Sequence, residues 1–346
     1  MSNVYFIPVE QKADIPVLSE AAARLLAEAS ERESFQFEQE IPLKVHFGEK
    51  GNRTYLKPGV YNGIIDFLKR KNISCRYIET SVLYGGERFE REKHIALALS
   101  HGFDQIPITI ADGEKGEDAA KIEIDGKYFK SCAVASGIAS APQIIVLSHF
   151  KGHMLAGFGG AIKQLSMGCA SKGGKMAMHM GVKPRIRQWK CKRCKLCQTR
   201  CNEHAITIGE RSFIDHEKCV GCGACFSICP HKAVSIFSLE GFWNALFRGK
   251  FFREKLVEYA FAAQKGKRNF YINFAVSVTK GCDCEPRPML PCIKDIGIFA
   301  STDPVAVDSA CWDAAAKAGK RFKGVEQLAY AESLGLGSRK YTLIQL

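Results

Sequence analysis

The sequence predicts an α/β fold, built on a mixed or parallel sheet and interrupted by a small cysteine-rich insert. Three observations carry that prediction. Strand-like and helix-like stretches alternate from residue 21 to residue 147, and the same alternation resumes between residues 241 and 318. Eight of the 15 cysteines crowd between Cys191 and Cys229, where the alternation stops. The length, 346 residues, suits about two domains.

The elements follow from local pattern. Ala21 to Ser30 is rich in Ala, Leu and Glu and reads as a helix, with Ser19 as a candidate N-cap. Ile41 to Phe47 reads as a strand. Val60 to Lys71 sets Ile64, Ile65 and Leu68 on one helical face, and Ile73 to Ile78 follows as a strand. Glu90 to Ser100 is helical again, and Ile106 to Ile110 returns as a strand. Lys121 to Lys130 carries Asp125-Gly126 between alternating apolar residues, a hairpin signal. Ile144 to Leu147 is a continuous apolar run, as in a strand buried on both faces. Beyond the insert come a helix over Gly241 to Ala263, a strand over Phe270 to Val278 and a helix over Pro304 to Ala318. Around the Gly241 helix Leu239, Trp243, Leu246, Leu256 and Tyr259 stand among basic residues, a face for packing the insert on the core or for lying on a membrane surface. Asp303 before Pro304 is placed to cap the last of these helices, with Asp308 one turn on. The expected division is residues 1–186 for the first part of the α/β core, 187–238 for the insert and 239–346 for the second part.

The eight clustered cysteines are two copies of one pattern. The first is Cys191-x-x-Cys194-x-x-Cys197-x-x-x-Cys201, and the second is Cys219-x-x-Cys222-x-x-Cys225-x-x-x-Cys229-Pro230, offset by 28 residues. That is the ligand run of bacterial two-cluster ferredoxins. Three thiolates at x-x intervals wrap one cubane on a tight loop, and the fourth reaches the other cluster. Crossed ligation assigns Cys191, Cys194, Cys197 and Cys229 to one 4Fe–4S cluster, and Cys219, Cys222, Cys225 and Cys201 to a second. Zinc prefers separated CxxC pairs or mixed Cys/His sets, so the doubled run argues against it. Asn202 stands where the second copy has Pro230, which alters the local turn but not the ligand.

Composition excludes other classes. At 46% hydrophobic and 10% aromatic residues the chain is not disordered. No membrane span is expected: the most apolar stretch, Cys132 to Phe150, is broken by Pro142 and Gln143, short of the roughly 18 apolar residues a span needs. Met1 to Lys12 lacks the features of a secretory signal, so a cytoplasmic location is the expectation.

Chemistry outside the insert is expected in three loops. His149-Phe150-Lys151-Gly152-His153 directly follows the Ile144 strand, where open α/β sheets bind ligands. The glycine-rich stretch from Gly157 to Lys163, followed by Cys169, Lys172 and Lys175, could hold an anion on backbone amides and lysines. Tight helix packing is the alternative for its glycines. Cys282-Asp283-Cys284 is a chelating pair, and with Cys169 it could hold a third metal or cluster. The alternative is inert buried thiols, as expected of Cys75, Cys132 and Cys311.

Five phrases resemble one family. They are HFGEKGN (His46 to Asn52), ADGEKG (Ala111 to Gly116), the stretch His149 to Lys175, KGCDC (Lys280 to Cys284) and DIGIFASTDPVAVD (Asp295 to Asp308). They are similar to the family termed domain of unknown function 362, in its iron–sulfur centre subgroup. The resemblance spans nearly the whole chain, and it implies one domain around an inserted two-cluster ferredoxin module. It supplies a fold and a cofactor but no reaction. Where that family carries a polar Asn-Asp after the CDC, Glu285-Pro286 stands here.

The formal net charge is +13. From Lys183 to Asn202 there are eight basic residues and no acidic one. Such a patch suits an acidic redox partner such as ferredoxin or flavodoxin. No groove-reading motif or stacking platform accompanies it, which speaks against nucleic acid. Two functions follow. One is an oxidoreductase, or reductase, passing electrons through both clusters to a site of His149, Lys151, His153, Lys163 and Lys175 with the CDC cysteines. There a histidine would donate a proton, and the lysines would hold an anionic small molecule. The other is a non-catalytic electron-transfer subunit or a metallocofactor assembly factor.

Overall fold

The computed structural model describes residues 1–180, 184–201, 204–219, 224–235 and 248–346. An eight-stranded sheet runs in the order Tyr341–Gln345, Ser2–Pro8, Gly297–Ser301, Phe270–Ala275, Ile145–His149, Glu40–Lys44, Ser74–Glu79, Ile108–Ile110. Gly297–Ser301 is antiparallel to both neighbours, and every other pairing in this sheet is parallel. The fold is therefore α/β with a mixed sheet, as the alternating pattern predicts.

The continuous apolar runs become the central strands because both of their faces are covered. Successive side chains alternate across a strand. Ile145 and Leu147 face the layer of helices Ile15–Arg32, Asn62–Arg70 and Arg91–Ser100, whereas Val146 faces the layer holding Arg248–Gln264 and Pro304–Lys317. Phe270, Ile272 and Phe274 likewise face the first layer, and Tyr271 and Ala275 the second.

Several elements differ from expectation. The first helix spans Ile15–Arg32 with Asp14 at its N-cap and Pro16 in its first turn, so Ser19 is not a cap. Ser19 lies inside the helix, and its Oγ accepts the Gly63 N–H at 2.8 Å, which ties this helix to Asn62–Arg70. The strands Ser2–Pro8, Gly297–Ser301 and Tyr341–Gln345 are additional to those expected; they are short and rich in aromatic and β-branched residues, and they pair with one another and with the sheet. The hairpin forms, pairing Ala119–Glu123 with Ser131–Ala135, and its turn closes with Gly126 N–H donating to Phe129 O at 3.0 Å. The late helix is described from Arg248 to Gln264; Leu239, Trp243 and Leu246 lie outside the described residues. Leu256 and Tyr259 of this helix are buried in the core. No helix among the described residues is long and apolar enough to cross a membrane.

Within the cysteine-rich segment, Arg185–Ile186 pairs antiparallel with Val234–Ser235, and Ile206–Thr207 with Phe213–Ile214. Short helices start at Leu196 and at Ala224, 28 residues apart like the cysteines. Cys197, Ala205, Ile206, Ile214, Cys225 and Val234 form a small core of their own.

Gly157 lies where the chain turns back after Lys151–His153, at φ +86, and a Cβ there would collide with the carbonyl oxygen of Lys323. Gly157→Ala combines a left-handed backbone with a backbone clash. It is expected to lower unfolding free energy by about 3 kcal/mol in a denaturant titration, and a change within 0.5 kcal/mol, roughly the range of neutral surface substitutions, would contradict that.

Candidate active site

The five parallel strands from Phe270–Ala275 to Ile108–Ile110 end on one edge of the sheet. From Glu40–Lys44 the chain moves outward through Ser74–Glu79 and Ile108–Ile110, then returns to pair Ile145–His149 on the opposite side of Glu40–Lys44. This is a topological switch point, where splayed loops leave a crevice beyond the carboxyl ends of the strands. His46, Thr80 and the CDC loop follow such strand ends, and His149 is the last residue of its strand.

Asp283 anchors the crevice. Its side chain is 1% exposed; Oδ2 accepts from Lys151 Nζ at 2.6 Å and faces His149 Nδ1 at 3.0 Å. Nε2 of His149 meets the carbonyl of Val276 at 2.8 Å, so both ring nitrogens face acceptors. Burial raises the Asp283 pKa, but Lys151 and His149 outweigh it and hold the carboxyl well below the usual carboxylate range. Bonds to its backbone carbonyls fasten the same loop from the other side: Glu49 N–H donates to Asp283 O at 3.1 Å, and the Asn52 side-chain Nδ2 to Glu285 O at 3.0 Å.

A second buried charge group stands beside it. Glu49 Oε2 accepts from Arg88 Nε at 3.0 Å, from Arg88 Nη2 at 2.9 Å and from the Tyr84 hydroxyl at 2.7 Å. Arg88 Nη1 donates to His46 Nε2 at 3.1 Å. Burial, with the Arg88 charge, lowers the His46 pKa well below its ordinary value and keeps the ring neutral.

The two thiols flanking Asp283 meet Lys163 and His153. Lys163 Nζ lies 3.7 Å from Cys282 Sγ, and the Cys284 N–H donates to that sulfur at 3.4 Å. The Cys284 thiol also donates to it; this bond, with Lys163 and His153, outweighs burial and holds the Cys282 pKa well below an ordinary thiol. Donating to that thiolate, together with burial, pushes Cys284 up. Burial lowers the Lys163 pKa, but the Cys282 thiolate reverses the effect and the ammonium is kept. One ligand atom from each of His153, Cys282 and Cys284 lies within 4.8 Å of the others, a spacing compatible with a metal ion.

The crevice opens into a cavity of about 670 Å³ lined by Thr80, Arg88, His153, Lys163, Lys175 and Cys284 among others. A smaller adjoining cavity shares His46, His153, Lys163 and Gln164 and reaches Cys282. Lys175 Nζ donates to Thr80 Oγ1 and to Ala170 O, each at 2.6 Å. Burial lowers its pKa to about 8, against the opposing pull of Asp112 and Glu79.

The family profile described as Domain of unknown function (DUF362) matches residues 41–313. The chain belongs to the DUF362 family. Two solved structures are similar to this DUF362 chain. One is a protein from Thermotoga maritima, at 12% identity and TM-score 0.46, covering 89% of this chain and 60% of that one. The other is the lactate racemase apoprotein from Thermoanaerobacterium thermosaccharolyticum, at 12% identity and TM-score 0.38, covering 80% of this chain and 51% of that one. The DUF362 chain thus spans between half and two thirds of the length of the solved proteins it matches. No curated protein sequence matches it.

The DUF362 crevice gathers five residues singled out in the sequence, His149, Lys151, His153, Lys163 and Lys175, together with Cys282 and Cys284. It does not gather Cys169. That thiol is buried in the core, where it donates to Gln164 O at 3.5 Å, and burial pushes its pKa up to about 11. Lys172 donates to the Phe89 carbonyl at 2.8 Å and lines neither cavity. Cys132 and Cys311 are fully buried, Cys75 only partly. Asp303 caps its helix by accepting from Val305 and Ala306 N–H. Asp308 reaches further and accepts from the N–H groups of Ala161 (2.7 Å) and Ile162 (3.0 Å), starting the helix that carries Lys163.

In the cysteine-rich segment, Cys191, Cys194, Cys197 and Cys229 line one cavity, although 32 residues separate the last two. Cys201 Sγ accepts from Ala205 N–H and Cys229 Sγ from Ala233 N–H, each at 3.3 Å, the same bond in both repeats. Cys222 lies outside the described residues.

Sequence reasoning missed Glu49, Tyr84, Arg88 and the anchoring role of Asp283. The phrases HFGEKGN and KGCDC contain two of these residues, and a charge inside each phrase was the available signal.

Lys175 gives a test with a defined sign. In the folded chain it loses its proton near pH 8, while in the unfolded chain it keeps it to about 10.4. Between these values the unfolded state binds more protons, so wild-type stability rises with pH. Relative to Lys175→Met, wild type is expected to gain about 3 kcal/mol across that window in denaturant titrations. A difference independent of pH would contradict the assignment.

Proposed function

We propose that this DUF362 chain is an iron–sulfur oxidoreductase whose inserted module, residues 187–238, carries two 4Fe–4S clusters and serves the crevice of the α/β core. The observation that carries the reading is the cavity where Cys229 of the second repeat joins Cys191, Cys194 and Cys197 of the first. Four thiolates around one hollow, which His231 also lines, are a donor set for a cubane when they stand in this doubled spacing. Cys219, Cys222, Cys225 and Cys201 would hold the second cluster by the same rule. Such clusters supply single electrons at low potential.

The chain's own residues set the conditions. The Ala205 and Ala233 amides donate to Cys201 and Cys229, and hydrogen bonds to ligand sulfur raise a cluster's potential. Lys192, Arg193, Lys195 and Arg200 are exposed beside the first motif, with Trp189 77% exposed among them. That surface suits an acidic electron carrier of the ferredoxin or flavodoxin type. In the core, Lys163 keeps its charge and Lys175 holds a proton that it can release near neutral pH, so the cavity favours an anionic small molecule. Lys175 Nζ is the proton donor in this reading. The cavity also favours an enzyme over a pure carrier, which needs only the insert. Cluster thiolates require a reducing compartment, so the reading goes with a cytoplasmic location.

Iron and sulfide quantitation on anaerobically purified protein tests it. About eight irons per chain are expected, with an EPR signal of reduced clusters, and Cys229→Ala should remove roughly half of the iron. Stoichiometric zinc with little iron would overturn the reading.

A further inference from the structure

Three groups aim donors at one sulfur. Lys163 Nζ lies 3.7 Å from Cys282 Sγ, and the Cys284 N–H reaches it at 3.4 Å. His153 is the third. Its Nδ1 already accepts the N–H groups of Leu155 at 3.2 Å and Ala156 at 3.0 Å, so the ring's proton sits on Nε2, the only nitrogen left to donate to the sulfur. A neutral thiol is a poor acceptor and does not account for this convergence; a thiolate does.

The same contacts count against a metal ion in this arrangement. A ligating imidazole donates its second N–H to an acceptor, whereas the second nitrogen of His153 faces two donors. The Lys163 ammonium would also stand beside the cation. What remains is a pair of sulfurs, one thiolate and one thiol hydrogen-bonded to it, each lining a cavity.

We propose that Cys282 and Cys284 form a redox-active dithiol that reduces an anionic organic disulfide, with Cys282 attacking and Cys284 resolving. The Cys282 sulfur bonds to one substrate sulfur, the substrate S–S bond breaks, and the far half leaves as a thiolate. Cys284 then bonds to Cys282, the mixed disulfide breaks, and the Cys284 proton leaves with the second half as a thiol. Two protein thiols are oxidised and one substrate disulfide is reduced by two electrons. Lys163 and Lys175 around the larger cavity select a negatively charged substrate. Re-reduction of the pair by electrons from the insert rests on the function proposed above; the forward half-reaction does not.

The test uses the anaerobically purified full chain and dithiobis(nitrobenzoate), an anionic aromatic disulfide. A fast phase should release about two nitrothiobenzoates per chain and leave a Cys282–Cys284 disulfide in peptide mapping by mass spectrometry. Cys282→Ser should abolish that phase. Cys284→Ser should cut it to about one equivalent and trap a mixed disulfide on Cys282. Lys163→Met should slow it on the order of tenfold by removing the charge that sustains the thiolate. An identical fast phase in wild type and Cys282→Ser would overturn the proposal, as would a stoichiometric zinc ion lost with Cys282→Ser. Iron content measured on the same samples separates the two readings. A fast phase without iron keeps the dithiol and sinks the clusters, and iron without a fast phase does the reverse.

Discussion

The carboxylate of Asp283, buried between a lysine and a histidine, is the interaction on which the crevice depends. Taking a carboxylate out of water costs several kcal/mol, more than any single hydrogen bond returns. Here Lys151 and His149 both hold it, and the depressed pKa shows that attraction wins over burial. Because Asp283 stands between Cys282 and Cys284, pinning it fixes both thiols at once. The partners come from the strand end at His149 and from Lys151 just beyond it, so the loop is registered against the centre of the sheet.

Other buried charges are arranged so that few cations stay uncommitted. Arg88 is held by Glu49 and Tyr84, and Lys44 pairs with Glu79 at 2.7 Å. Lys163 and Lys175 differ from these. Lys163 has a thiolate as its counter-charge, and Lys175 donates to a hydroxyl and a carbonyl, with the carboxylates of Asp112 and Glu79 acting on it without a hydrogen bond among the described residues. A lysine buried with neutral hydrogen-bond partners gives up its proton more readily, which is why the Lys175 pKa falls despite those carboxylates. The distant Asp308 supports this layout by capping the short helix that presents Lys163.

How much of this was legible in the sequence follows from range. Ile145–His149 and Phe270–Ala275 announce themselves by apolar runs, and the repeated cysteine spacing marks its segment without any tertiary information. His149, Lys151, His153, Lys163 and Lys175 were also legible, since they lie just after the apolar run of Ile144 in the sequence, although the structure sets them in strands and helices and not in the loops expected there. The rest depends on contacts that no local window contains. Asp283 meets His149 across 134 residues, and Glu49 meets Arg88 across 39. Cys169 sits near Lys163 in sequence, but its thiol is turned into the core, toward Gln164 O. Ser19 has the composition of a cap, yet Pro16 starts the helix before it and Gly63 claims its hydroxyl.

The two proposals divide the cysteines: eight would hold iron in the insert, and two would work as thiols in the core. Anomalous diffraction at the iron edge, on crystals grown without oxygen, tests that division most directly. Iron is expected in two places only, among Cys191, Cys194, Cys197 and Cys229 and among Cys201, Cys219, Cys222 and Cys225, with no metal between Cys282 and Cys284. Iron at the CDC loop, or none in the insert, would contradict it.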